Sequence, residues 1–95
     1  MVAEADGQLV GMIDVKDNSH ISLSFVDSAY RGRGIGRALL ERSIAMCRSR
    51  DPGVRTLDVS SSLWAVPVCE TLGFCRRSPV REVDGIRFVE MARVL

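Results

Sequence analysis

Ninety-five residues suffice for one small domain with one modest core, and a net charge of +1 calls for neither nucleic acid nor a membrane surface as partner. A hydrophobic content of 46% is ordinary for a soluble globular chain, and no apolar run approaches the roughly 20 residues that span a bilayer. The opening Met1–Gly7 lacks the basic flank and apolar core of a secretion signal, and three cysteines without metal-ligand spacing point to a reduced, cytoplasmic protein with no metal.

In chain order, Val2 to Ala5 and Leu9 to Lys16 read as strands around Asp6-Gly7-Gln8, a strong hairpin signal. Gly11 inside the second run marks a candidate bulge. After a turn at Asp17-Asn18-Ser19, His20 to Val26 alternates, with Ile21, Leu23 and Phe25 on one face and Ser22, Ser24 and Val26 on the other. Ile35 to about Arg50 has helical spacing: Leu40, Ile44 and Cys47 form a stripe flanked by Ile35, Leu39 and Met46. Arg37 and Glu41 stand four apart on its outer face, as an ion pair would require. Asp51-Pro52-Gly53 stops the helix.

Val54 to Ser60 is the next strand, parallel to the one before the crossover helix. Ser60-Ser61-Ser62 offers hydroxyls to cap a short helix through about Leu72. Pro67 is tolerated only in a first turn, so that helix starts near Trp64 to Val66 or bends. Gly73 is placed to stop it. Phe74 to Val83 and Ile86 to Leu95 close the chain as two strands around Asp84-Gly85. The order β-β-β-α-β-α-β-β gives a mixed sheet with two crossover helices, an α/β or α+β domain over residues 1–95.

Between the third strand and the long helix stands Tyr30-Arg31-Gly32-Arg33-Gly34-Ile35-Gly36-Arg37-Ala38-Leu39-Leu40. Glycines leading into a helix N-terminus make an anion cradle, most often for phosphate, because the first N–H groups lack internal partners and the dipole favours negative charge. Arg31, Arg33 and Arg37 add positive charge. A plain Gly-rich turn that starts a helix is the competing reading.

With this order of elements, Arg31-Gly32-Arg33-Gly34-Ile35-Gly36 resembles the [Gln/Arg]-x-x-Gly-x-[Gly/Ala] motif of the GNAT superfamily of acetyl-CoA-dependent N-acetyltransferases. Leu57-Asp58-Val59, then Ala65, then Glu70-Thr71-Leu72-Gly73-Phe74 resembles that family's fourth helix ending in Leu-Gly-Phe. The final hairpin, closing on Glu90-Met91-Ala92-Arg93-Val94-Leu95, is similar to its C-terminus. The family's first strand and first two helices have no counterpart here. Those helices normally wall the acceptor site, which suggests a compact variant, a truncated product or a subunit completed by a partner. Exposed apolar surface on so small a sheet favours a homodimer.

The resemblance implies a mechanism. Acetyl-CoA is the cosubstrate, its pyrophosphate held by backbone N–H groups of Arg33, Gly34, Ile35, Gly36, Arg37 and Ala38, with Arg31 a further cofactor-binding residue beside them. Its pantetheine arm pairs with the backbone of Phe25 and Val26, in a slot between splayed strands. A primary amine, small or on a peptide, attacks the thioester directly, and a backbone N–H near Val26 polarises the carbonyl. Where the family often has a Tyr to protonate the leaving thiolate, this chain has Cys69, which is equally an ordinary core residue. Ser62 stands where an Asn often contacts the pantetheine region, and a capping role competes. The third strand has no carboxylate to act as base. His20 suits that task by its chemistry, although a lone His at a strand start is commonly a surface residue. Tyr30 is a candidate general acid or a packing residue, and Asp27 a candidate base through water or a turn residue. Arg76, Arg77 and Arg81 could bind an acidic group or form a solvated face, and Trp64 fills core or interface.

Two rivals remain at this stage. One is an acyl-CoA-binding module that has lost catalysis. The other is nucleotide binding, disfavoured because Arg37 stands where a dinucleotide fingerprint needs Gly or Ala, and no Gly-Lys-[Ser/Thr] is present.

Overall fold

A computed structural model describes residues 1–95, the side chain of Leu23 excepted, so the expected apolar placement of that side chain lies outside the described residues. The strands are β1 (Val2–Ala5), β2 (Gln8–Lys16), β3 (His20–Val26), β4 (Thr56–Ser62), β5 (Cys75–Arg76), β6 (Arg81–Val83) and β7 (Ile86–Val94). The helices are α1 (Ile35–Arg50) and α2 (Val66–Thr71), and 3-10 turns cover Ser28–Tyr30 and Leu63–Ala65. All seven strands join one mixed sheet in the order β1-β2-β3-β4-β7-β5, with β6 also paired to β7. Only β3 and β4 run parallel. Among the described residues no helix is long and apolar enough to cross a membrane.

Both Asp-Gly hairpins form as expected. Asp6 and Gly7, and likewise Asp84 and Gly85, all have positive φ, the conformation a two-residue hairpin loop needs to match the strand twist. Bulges break the regular alternation twice. Ala3 pairs with Gly11 but Glu4 with Leu9, so the extra residue is Val10, the neighbour of Gly11. Gly11 itself serves packing: a Cβ there would stand 3.1 Å from Leu39 Cδ1 and 3.2 Å from Ile35 Cγ2. Its bare backbone lets α1 lie close on β2.

The second bulge corrects the two-faced reading of β3. Asp14 pairs with Leu23 but Val15 with Ile21, which leaves Ser22 unpaired. The inserted residue shifts the alternation, so Ile21 joins the core while Phe25 is 41% exposed. Val26 instead faces α1, its Cγ2 lying 3.6 Å from where a Cβ on Gly36 would stand.

The core lies between the sheet and the helices. Leu57, fully buried, packs with Ile13, Ile21, Leu40, Ile44 and Met91. Ser43 completes the buried stripe of α1 in place of Met46, which is 40% exposed. Glu41 and Arg37 do not pair with each other. Glu41 accepts from Arg93 of β7 at 2.9 Å, and Arg37 donates to the Thr71 carbonyl at 2.9 Å. That carbonyl ends α2, where the helix dipole favours a cation.

The bounds of β4 and of the Phe74–Val83 stretch differ from the sequence pattern, whereas α2 starts within the expected Trp64 to Val66. β4 runs two residues later than expected and takes in all three serines. Ser62 precedes the 3-10 turn but its hydroxyl makes no cap bond. Pro67 sits in the first turn of α2, which the preceding 3-10 turn delays to Val66. The stretch from Phe74 to Val83 is two short strands, because Pro79 has no N–H for the ladder and the chain leaves it there. The Ser78 hydroxyl takes over, accepting the Glu90 N–H at 3.0 Å.

Candidate functional site

β3 and β4 are joined by two residue pairs only, His20 with Asp58 and Ile21 with Val59. An N–H from Asp58 to the Ser19 carbonyl at 2.8 Å extends this contact at its closed end. The ladder stops where Ser22 bulges, and a bulge bends its strand and increases the local twist. From there β3 stays with β2 as far as Val26, while β4 stays with β7 as far as Ser62. The sheet therefore opens into a slot about 13 Å long, four residues at strand rise, with its mouth at the glycine loop.

Hydrogen-bond alternation fixes what lines the slot on the β3 side. The Asp27 N–H donates to the Val10 carbonyl at 2.7 Å, so Asp27 faces β2. Backbone groups of successive strand residues point to opposite edges. Phe25, two residues back, also turns its N–H and carbonyl to β2, opposite Met12. Val26 and Ser24 turn theirs into the slot. The Val26 backbone thus faces the slot, Phe25 is corrected to a residue whose backbone is engaged within the sheet, and Ser24 shares the slot-facing edge with Val26. Only the bulge and register reveal Ser24; its sequence context carries no signal.

At the mouth, Gly32 and Gly34 adopt φ of +80° and +78°, and Gly34 is the N-cap of α1. The first intrahelical bond runs from the Ala38 N–H to the Gly34 carbonyl at 3.0 Å. Ala38 is therefore corrected: its amide is already used. The N–H groups of Ile35, Gly36 and Arg37 precede it and have no partner inside the helix. They form the candidate anion cradle, with the amides of Arg33 and Gly34 beside them.

The arginines divide their roles. Arg33 lies 5.0 Å over the Tyr30 ring. Arg31 donates from Nε to the Val26 carbonyl at 3.3 Å and lies 5.7 Å over Trp64, spanning the mouth from the end of β3 to the turn after β4. Trp64 is 70% exposed and fills no core. Arg37 contributes its backbone, since its guanidinium is engaged on Thr71. Arg76, Arg77 and Arg81 lie exposed on or beside β5 and β6, across β7 from the slot. Asp27 is a turn residue whose carboxylate accepts from the Ala29 N–H at 2.9 Å.

Of the three candidate catalytic residues, the structure brings one to the inner end of the slot. Tyr30 stands at the mouth, beneath Arg33. Cys69 packs against the core, and its thiol donates to the buried Ser61 hydroxyl at 3.6 Å. Ser61 lies on the helix-facing side of β4, between Ser60 and Ser62. His20 closes the slot, with Nδ1 hydrogen-bonded to the Asp58 carboxylate. Asp58 was missed as a site residue because 38 positions separate it from His20, and only the parallel pairing joins them.

Around this closed end, the face of the sheet away from the helices carries a polar belt. The Ser22 hydroxyl donates to Asp14 at 3.0 Å, His20 meets Asp58, and the Ser60 hydroxyl donates to Glu90 at 3.0 Å. Three carboxylates face two cations there, Lys16, opposite His20 on β2, and Arg77, opposite Glu90. A separate cavity of about 320 Å³ lies on the other face, between β2 and α1, and contains none of the expected site residues.

Comparison with known proteins agrees with this fold. A GCN5-related N-acetyltransferase from Rhodopseudomonas palustris superposes with a TM-score of 0.85 at 24% identity, over 99% of this chain and 59% of that one. A ribosomal-protein-alanine N-acetyltransferase from Brucella melitensis gives 0.74 at 26% identity, over 99% and 67%. An aminoglycoside 6'-N-acetyltransferase complexed with coenzyme A gives 0.76 at 17% identity, over 98% and 70%. The chain spans about three fifths of the length of the first of these. The family described as acetyltransferase (GNAT) domain matches residues 1–95, and the chain belongs to that family.

Proposed function

We propose that the chain is an N-acetyltransferase that moves the acetyl group of acetyl-CoA to a primary amine by direct attack. The observation that carries this reading is the two-pair β3–β4 ladder opening toward the glycine loop. It supplies, in one line, an amide cradle for a diphosphate, the backbone edge of Val26 and Ser24 that β4 leaves unpaired for an extended amide-bearing arm, and a polar closed end. Preorganised amides of this kind stabilise developing oxyanion charge without rearranging. The carboxylates of Asp14, Asp58 and Glu90 favour approach of a cationic amine.

The Cys69 thiol, turned toward Ser61, favours a second reading: an acyl-CoA-binding module without turnover. One pair of measurements separates the two. Acetyl-CoA is expected to raise the melting temperature, by an amount equivalent to about 2.7 kcal/mol at 100 times its Kd, and free thiol is expected to appear with at least one member of a panel of amines, amino acids and peptides. Stabilisation without thiol release on any amine selects the binding module. Absence of stabilisation removes both readings.

A further inference from the structure

We propose that His20 and Asp58 act together as the general base of the transfer, His20 accepting the proton of the incoming ammonium and Asp58 acting as its positioning residue. This assignment rests on the acetyl-transfer reading above. The pair closes the slot at the only place where β3 and β4 touch, so it forms the floor toward which an arm entering from the glycine loop extends. Both side chains are about half exposed, on the face away from the helices, which leaves the imidazole open to an acceptor arriving from solvent.

The chemistry follows from the contact. With Nδ1 donating its hydrogen to Asp58, Nε2 carries the lone pair, and among the described residues no hydrogen bond engages it. An imidazole accepts a proton near neutral pH far better than an ordinary carboxylate, with its pKa of about 4. The other carboxylates on this face already accept from hydroxyls, Asp14 from Ser22 and Glu90 from Ser60. Charged groups facing His20 are Asp58 on β4 and Lys16 on β2, with Asp14, Glu90 and the Arg77 opposite Glu90 further along. Negative charge predominates there, so a cationic amine is drawn to the base.

The protons balance. His20 Nε2 takes one proton from the ammonium, and the freed nitrogen bonds to the acetyl carbon. The carbon–sulfur bond breaks, the second proton lost by nitrogen ends on the departing thiolate, and His20 returns its own to solvent.

His20 is the sole histidine, so its imidazole nitrogen NMR signals need no assignment. In the ligand-free protein the wild type is expected to show the tautomer with Nδ1 protonated, and Asp58→Asn is expected to redistribute it. For turnover, His20→Gln is expected to lower kcat/KM by about 10²–10⁴-fold near pH 7, with the loss shrinking as pH rises and the amine deprotonates unaided. The acetyl-CoA-induced rise in melting temperature is expected to persist. Asp58→Asn should lose kcat rather than raise KM, and Asp58→Glu should restore part of it. A tautomer unmoved by Asp58→Asn, or transfer with a pH profile unchanged by His20→Gln, overturns the pair while leaving acetyl transfer standing. Wild-type protein that acetylates no amine overturns the underlying reading, and the base role falls with it.

Discussion

The two ends of the slot are built by different means. The mouth is made of backbone: glycines in the left-handed region and a helix start whose amides have no partner inside the helix. The closed end is made of side chains from four strands, joined by hydrogen bonds across the sheet. Backbone chemistry leaves a contiguous mark in a sequence, because only glycine holds positive φ at little cost. Side-chain constellations leave none when their members come from separate strands.

Breaking the frame that holds both ends should have the largest effect. Leu57 is fully buried in the core, on β4 one residue before the pair that closes the slot. Leu57→Ala is expected to cost about 2–5 kcal/mol, read by urea denaturation, and a cost under 1 kcal/mol would mean the slot does not depend on this packing. Gly34→Val tests the mouth alone. A β-branched residue at φ +78° costs about 1–2 kcal/mol in stability, and the acetyl-CoA-dependent rise in melting temperature should vanish. A surviving rise would place the anion elsewhere.

Gly11→Ala sets a methyl against Leu39 and Ile35, and overpacking of that kind costs about 1–3 kcal/mol. By tilting α1 it should weaken binding at the mouth while leaving the His20 tautomer at the closed end unchanged. Arg31→Ala should have the smallest effect on stability, below about 1 kcal/mol for an exposed cation–π contact. It should still alter the emission of Trp64, the sole tryptophan, and blunt any further change when acetyl-CoA is added. An unaltered emission would show that the contact across the mouth does not persist in solution.

Much of this was legible in the sequence, for physical reasons. α1 and β3 have the bounds that periodicity predicts, since glycine and proline punctuate α1 and Asp, Asn and Ser turns flank β3. The cradle was legible for the same reason. Whole-strand registers were not. The bulge at Ser22 reverses which residues of β3 meet the core, and no local propensity announces it. Ser24 and Asp58 were missed because their roles follow from pairing partners far along the chain, and Ala38 was included because a motif does not say which amide makes the first helical bond. The break at Pro79 was foreseeable from its missing N–H, and the apolar run around it concealed it.

The short contact between β3 and β4 also bears on how the molecule should move. With two rungs between them, β1-β2-β3 and β4-β7-β5 are expected to act as leaves of a hinge, with α1 and Leu57 as the pin. Amide hydrogen exchange should be fast along the free edge at Ser24 and Val26 and slow at Leu57 and Met91, where the backbone is paired and buried. A filled slot would supply the missing rungs, and the same amides should then be protected.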